Sequence, residues 1–180
     1  MHQHLLTSKW VRDKYYISGN TLPNYGVLIL SKVPSFFYEM PLPTKMGRSM
    51  LICEPIISYG NESIPSGVAT VHLESGREHD SIRKEQLKMC LSKLKESYND
   101  NSILMGDFNF GDDKTELQSI IVEEGFNEIS RDCGDSMGKK KGFERGWRPD
   151  KVLIPKDFEK WFSPKDIRTV GKFKLLSFVQ

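Results

Sequence analysis

The apolar positions of this chain change period along its length. In "SGVATVHLES", Ala69, Val71 and Leu73 alternate with Thr70, His72 and Glu74, the two-residue repeat of a strand with one covered face. With the β-rich run "RSMLICEPIISY" before it and the turn-like "GNESIP" between, it predicts a hairpin. Leu87, Cys90, Leu91, Leu94 and Tyr98 then recur at three- and four-residue intervals among lysines and glutamates, which predicts an amphipathic helix. "SILM" reads as the next strand. Leu117, Ile120 and Ile121 mark a shorter helix that Gly125 is placed to end, and "KVLIP" and "DIRTV" read as short late strands.

The earlier part of the chain is less regular. Residues up to Trp10 and Val11 suit a short helix, and "KYYIS" looks extended. "YGVLILSK", Tyr25 to Lys32, is almost wholly apolar and predicts a buried central strand. Val33 to Thr44 carries Pro34, Pro41 and Pro43 among aromatics, which confines it to a packed loop or an edge strand. Lys139, Lys140 and Lys141 sit in a glycine-rich stretch that reads as a loop. Hairpins first, then strands alternating with helices, is the order of a mixed α/β protein.

Composition narrows this picture only slightly. With 180 residues, 38% hydrophobic and 28% charged, the chain is long enough for one domain, 1–180, with a core. A formal net charge of +2 does not by itself argue for nucleic acid. Cys53, Cys90 and Cys133 are odd in number and widely spaced, so a disulfide framework or zinc knuckle is not expected and a reducing compartment is. No apolar run approaches a membrane span, and the first residues lack the long apolar region of a signal peptide.

Three polar clusters fall at predicted strand ends. They are His72, Glu74, Ser75 and Arg77; Asp107 and Asn109 in "SILMGDFNFGDD"; and Arg148 and Asp150 in "GWRPDKVLI". If extended geometry persisted through Phe108, Asp107 and Asn109 would face one way. Each group also has a plain structural reading. Asp107 suits a turn or a helix cap, His72 a satisfied sheet histidine, and Arg148 with Asp150 a surface ion pair. Together they form a set suited to phosphoester hydrolysis: a carboxylate for water, an amide to orient it, and imidazole or guanidinium for phosphate charge.

"VHLES" followed by Arg77, then Gln86-Leu87 on a helix, then "GDFN" and "WRPD", resembles the endonuclease/exonuclease/phosphatase superfamily. "MGR" (Met46 to Arg48) and "YGVLILSK" look most like its 5′-tyrosyl-DNA phosphodiesterase branch, and the resemblance runs from about Tyr16 to Ile154. It implies a four-layered α/β sandwich, two packed β-sheets flanked by helices. It implies Asp107, Asn109, His72 and Asp150 as catalytic residues. Ser75, Arg77, Arg48 and Arg148 would be on the substrate side. It further implies Mg²⁺, or Mn²⁺ in its place, a phosphoester substrate on nucleic acid, a monomer, and a nuclear or cytoplasmic setting.

The same resemblance leads one to expect an early asparagine strand, a metal-binding glutamate and a closing Ser-Asp-His element. The chain starts about where the glutamate motif would end, and no histidine follows His79. The expectation is therefore a domain trimmed at both edges, with its metal ligands unassigned. The alternative reading is a catalytically impaired module that still binds phosphate or nucleic acid.

Overall fold

A computed structural model describes residues 2–19, 26–59, 62–110, 114–130 and 149–158. Two short helices, α1 (His2–Thr7) and α2 (Lys9–Lys14), open the chain, followed by the strands β1 (Tyr16–Ile17) and β2 (Leu30–Ser31). Then come β3 (Ser35–Pro41), β4 (Ser49–Pro55), the small strands β5 (Ser58–Tyr59) and β6 (Glu62–Ser63), and β7 (Gly67–His72). A 3-10 turn (Arg77–His79) leads into α3 (Asp80–Tyr98), β8 (Ser102–Asp107), α4 (Lys114–Glu123), β9 (Phe126–Glu128) and β10 (Asp150–Pro155).

Six of these strands form one mixed sheet in the order β3-β4-β7-β8-β10-β9. β7 and β8 run parallel and the other neighbours are antiparallel. A parallel pair cannot be closed by a tight turn, and here α3 supplies the crossover. The expected hairpin is β4 with β7, carrying the two-stranded β5–β6 ribbon at its tip. β3 is an edge strand, as its prolines predict, and Pro41 sits at its last paired position opposite Ser49.

α3 buries the predicted stripe of Leu87, Cys90, Leu91, Leu94 and Tyr98 against the sheet face that carries Met50, Ile52, Ala69, Val71, Leu104 and Leu153. Two polar residues, Arg83 and Gln86, extend the stripe toward the helix N-terminus and are also buried. Phe108, Phe110, Leu117, Ile120, Ile121 and Phe126 complete the cluster. α4 ends two residues before Gly125, and β10 coincides with "KVLIP" plus Asp150.

One expectation is corrected. "YGVLILSK" is not a central strand: of its described residues only Leu30 and Ser31 pair, with β1, and Gly26 to Leu30 are half-buried. An apolar run becomes a central strand only when partners flank it on both sides and both its faces are covered. "DIRTV", Lys139 to Lys141, Cys133 and Arg148 lie outside the described residues.

Candidate active site

The register of the sheet places three of the expected residues in a row. His72 is the last residue of β7, and its partner across the parallel pair is Asp107, the last residue of β8. Asp107 is in turn opposite Asp150, the first residue of β10. Directly opposed residues point to the same face, so His72, Asp107 and Asp150 line up across three strands. Their face is the one opposite α3, since Val71, Gly106 and Lys151 occupy the alternate positions. The row lies at the carboxyl ends of the parallel strands, the usual mouth of an α/β sheet.

Asp107 is a turn residue as well as the middle member of the row. Its Oδ1 accepts the Asn109 N–H at 2.9 Å, while Oδ2 stands 3.7 Å from His72 Nε2. Asn109 does not continue the strand: its φ is +51°, so the expected co-facing of Asp107 and Asn109 through extended geometry is corrected. The tight turn instead sends Phe108 into the core, fully buried. It also lets Asn109 Nδ2 donate to the Leu73 carbonyl at 3.0 Å. The Leu73 N–H donates to the Asp107 carbonyl at 2.9 Å, so the loops after β7 and β8 are clipped together by both groups of one residue.

Charge in the row is arranged unevenly. Burial pushes the Asp107 carboxyl above the usual carboxylate range; the Asn109 N–H and His72 oppose this, and the Asp150 carboxylate adds to it. His72 is pushed below the usual imidazole range, first by burial and then by Arg48, against the pull of Asp107 and Asp150. At neutral pH the row therefore holds a neutral imidazole between a buried guanidinium and a carboxylate under strain from its neighbour.

Arg48, only 3% exposed, comes from the loop between β3 and β4. Its guanidinium donates to Ser75 Oγ at 3.4 Å and approaches Met46 Sδ at 3.6 Å. Ser75 is thus tied to Arg48, whereas Arg77 is exposed on the 3-10 turn. Sequence patterns gave no role to Thr44 or Arg83, and quoted Gln86 only as part of a motif. All three surround Glu74, which is completely buried just beyond His72. The available signal was Arg83 and Gln86 standing at core positions of an otherwise apolar stripe.

No protein-family model matches the chain. It is 32% identical over 136 residues, 73% of its length, to Mus musculus tyrosyl-DNA phosphodiesterase 2, of which it covers 34%. The chain therefore spans about a third of the length of that relative. Its fold matches D. rerio TDP2 complexed with single strand DNA product at a TM-score of 0.64, with 20% identity, covering 85% of this chain and 65% of that one. It also matches a Staphylococcus aureus beta toxin with bound magnesium ions at a TM-score of 0.56, with 17% identity, covering 80% and 56%.

The mixed sheet, with its polar row at the ends of β7 and β8, has the α/β fold of these two solved structures, in keeping with the sequence resemblance. In sequence as well as in fold, the chain is similar to tyrosyl-DNA phosphodiesterase 2.

Proposed function

We propose that this protein hydrolyses a phosphodiester bond on nucleic acid, with the 5′-phosphotyrosyl link to DNA as its substrate. The observation that carries this reading is the row His72–Asp107–Asp150 with Arg48 beside it. The likeness to tyrosyl-DNA phosphodiesterase 2, and the single-stranded DNA product in the D. rerio protein, support the choice of substrate.

In this reading Asp107 receives a proton from water as the water oxygen bonds to phosphorus and the bond from phosphorus to the tyrosyl oxygen breaks. Asn109 fixes the turn that aims the carboxylate, and its side-chain carbonyl is left to orient water. His72 donates a hydrogen bond to a phosphate oxygen, and Arg48 adds positive charge behind it. Ser75 and Arg77 would contact the substrate, and the sequence resemblance assigns Arg148 the same role.

Among the described residues no three ligating side chains stand together, so a hard divalent cation would draw on the hard oxygens of Asp107 and Asp150, whose carboxylates repel across the β8–β10 register, and otherwise on water and the phosphate. Magnesium, or manganese in its place, would supply positive charge to the phosphate when bound. The protein acts as a single domain over residues 1–180, as a monomer, in the nucleus or cytoplasm. No helix among the described residues is long and apolar enough to cross a membrane.

The test is release of tyrosine from a 5′-tyrosyl oligonucleotide with and without Mg²⁺. Turnover is expected to need the metal, and His72→Ala is expected to lower it by about 10²-fold. Turnover equal to wild type in His72→Ala would remove the histidine from the chemistry, and phosphate binding without turnover would favour the binding-module reading.

The pH dependence follows from the same charges. In the metal-free protein the Asp107 carboxyl is expected to titrate above the usual carboxylate range, followed by the NMR signal of its side-chain carboxyl carbon. Asp150→Asn removes a charge that raises Asp107, so its titration moves to lower pH. Arg48→Ala removes a charge that lowers it, so the titration moves to higher pH. Shifts in the opposite sense, or none, would break the assignment.

A further inference from the structure

Glu74 is a carboxylate with no exposed surface, and among the described residues no lysine or arginine side chain pairs with its carboxylate. Burying such a charge is costly unless hydrogen bonds replace its water. Here they do. Thr44 Oγ1 donates to Oε2 at 2.5 Å, the Lys45 N–H donates to Oε1 at 3.2 Å, and Gln86 Nε2 stands 3.5 Å from Oε2. The backbone of Glu74 is held as well: its N–H donates to Gln86 Oε1 at 2.7 Å, and its carbonyl accepts from Arg83 at 2.9 Å.

What this carboxylate controls lies one step further on. A threonine hydroxyl has one proton and two lone pairs. Because the proton goes to Glu74, the lone pairs of Thr44 Oγ1 are free to accept the N–H groups of Met46 and Arg48, both at 3.0 Å. The loop is thereby folded around a single hydroxyl, and Arg48 leaves it toward Ser75, the residue following Glu74. We propose that Glu74 is the positioning residue of this site, its buried carboxylate orienting the Thr44 hydroxyl so that the Thr44–Arg48 loop holds the Arg48 guanidinium at the phosphate position.

The inference rests on the phosphodiesterase reading for the meaning of that position, but its geometry is independent of turnover. A packing role alone would be filled more cheaply by an apolar residue, since a carboxylate buried without a cation contributes little to stability. A glutamine at position 74 could donate as well as accept, and so could reverse the Thr44 hydrogen bond. The charge, and not merely the shape, is the feature that sets the direction of the chain of bonds.

The experiment is titration of the full chain with inorganic phosphate by isothermal calorimetry, in wild type, Arg48→Ala, Glu74→Gln and the double variant. Arg48→Ala and Glu74→Gln are each expected to weaken phosphate by about tenfold. The double variant is expected to bind no more weakly than Arg48→Ala, because Glu74 acts through Arg48. Thr44→Val reproduces the loss and Thr44→Ser restores it, which keeps the test available if Glu74→Gln does not fold.

Phosphate affinity unchanged in Glu74→Gln, or losses that add in the double variant, would overturn the proposal, and so would unchanged affinity in Arg48→Ala. If phosphate follows the expected pattern while the 5′-tyrosyl substrate is not turned over, the hydrolase reading fails and the positioning role stands.

Discussion

Asp107→Asn is expected to lower turnover by about 10²–10³-fold while leaving the protein folded. The substitution keeps an Oδ1 that can accept the Asn109 N–H, so the turn after β8 retains its hydrogen bond. What it removes is the group that takes a proton. The fold has reason to tolerate the change. The side chain is one-third exposed, and its carboxyl is pushed above the usual range mainly by burial, with Asp150 adding to the effect. A carboxyl whose pKa is raised on folding binds its proton more tightly in the native state. Its stabilising contribution is present below the unfolded pKa and lost as pH rises through the folded one. At pH 7 the wild-type residue has already lost it, so an uncharged amide gives up nothing there. The thermal midpoint of Asp107→Asn at pH 7 is therefore expected at or above that of wild type. Full turnover would exclude Asp107 from the chemistry, and a lowered midpoint would show that its charge serves the fold.

That result separates two readings that the sequence leaves joined. "SILMGDFNFGDD" admits either a turn or a site, and the structure makes Asp107 a turn residue that also stands in one row with His72 and Asp150. His72 and Asp107 are legible because each ends a recognisable strand with a polar group. Asp150 is legible because it precedes the apolar "KVLIP". Their alignment is not legible, since register between strands leaves no trace in the spacing along any one of them. The supposed pairing of Asp107 with Asn109 failed for a local reason: a positive φ at Asn109 breaks the two-residue alternation on which it depended. Thr44 left no signal either, because a hydroxyl bonding backbone N–H groups obeys no hydrophobic period.

The fold divides along the same line. The stripe from Leu87 to Tyr98 was readable because a helix against a sheet needs one apolar face, and that need is written locally. The edge position of β3 was readable because prolines forbid a ladder on both sides. "YGVLILSK" misled because an apolar run states only what a segment could bury. Whether it pairs as a central strand depends on distant partners, and here only Leu30 and Ser31 pair, with β1.

Gly106→Ala is expected to be among the most destabilising single changes in the molecule, above about 4 kcal/mol, enough to leave most of the chain unfolded. Gly106 has φ +135°, a conformation L residues rarely adopt, and a Cβ there would stand 2.0 Å from the carbonyl oxygen of Val71. That oxygen belongs to the backbone of β7, which is held between β4 and β8 and cannot withdraw without opening the sheet. Gly47→Ala is the internal control. Its φ is also positive, at +72°, but a Cβ would meet nothing within 4 Å, so the loss is limited to about 1 kcal/mol of backbone strain. Urea unfolding of the two variants beside wild type measures the difference. The comparison reaches the site as well as the fold. Val71 faces Gly106 in the same register that sets His72 beside Asp107 one residue later. If Gly106→Ala unfolded no more readily than Gly47→Ala, the Val71 carbonyl would not lie against Gly106. The row from His72 to Asp150 would then lose its basis along with that contact.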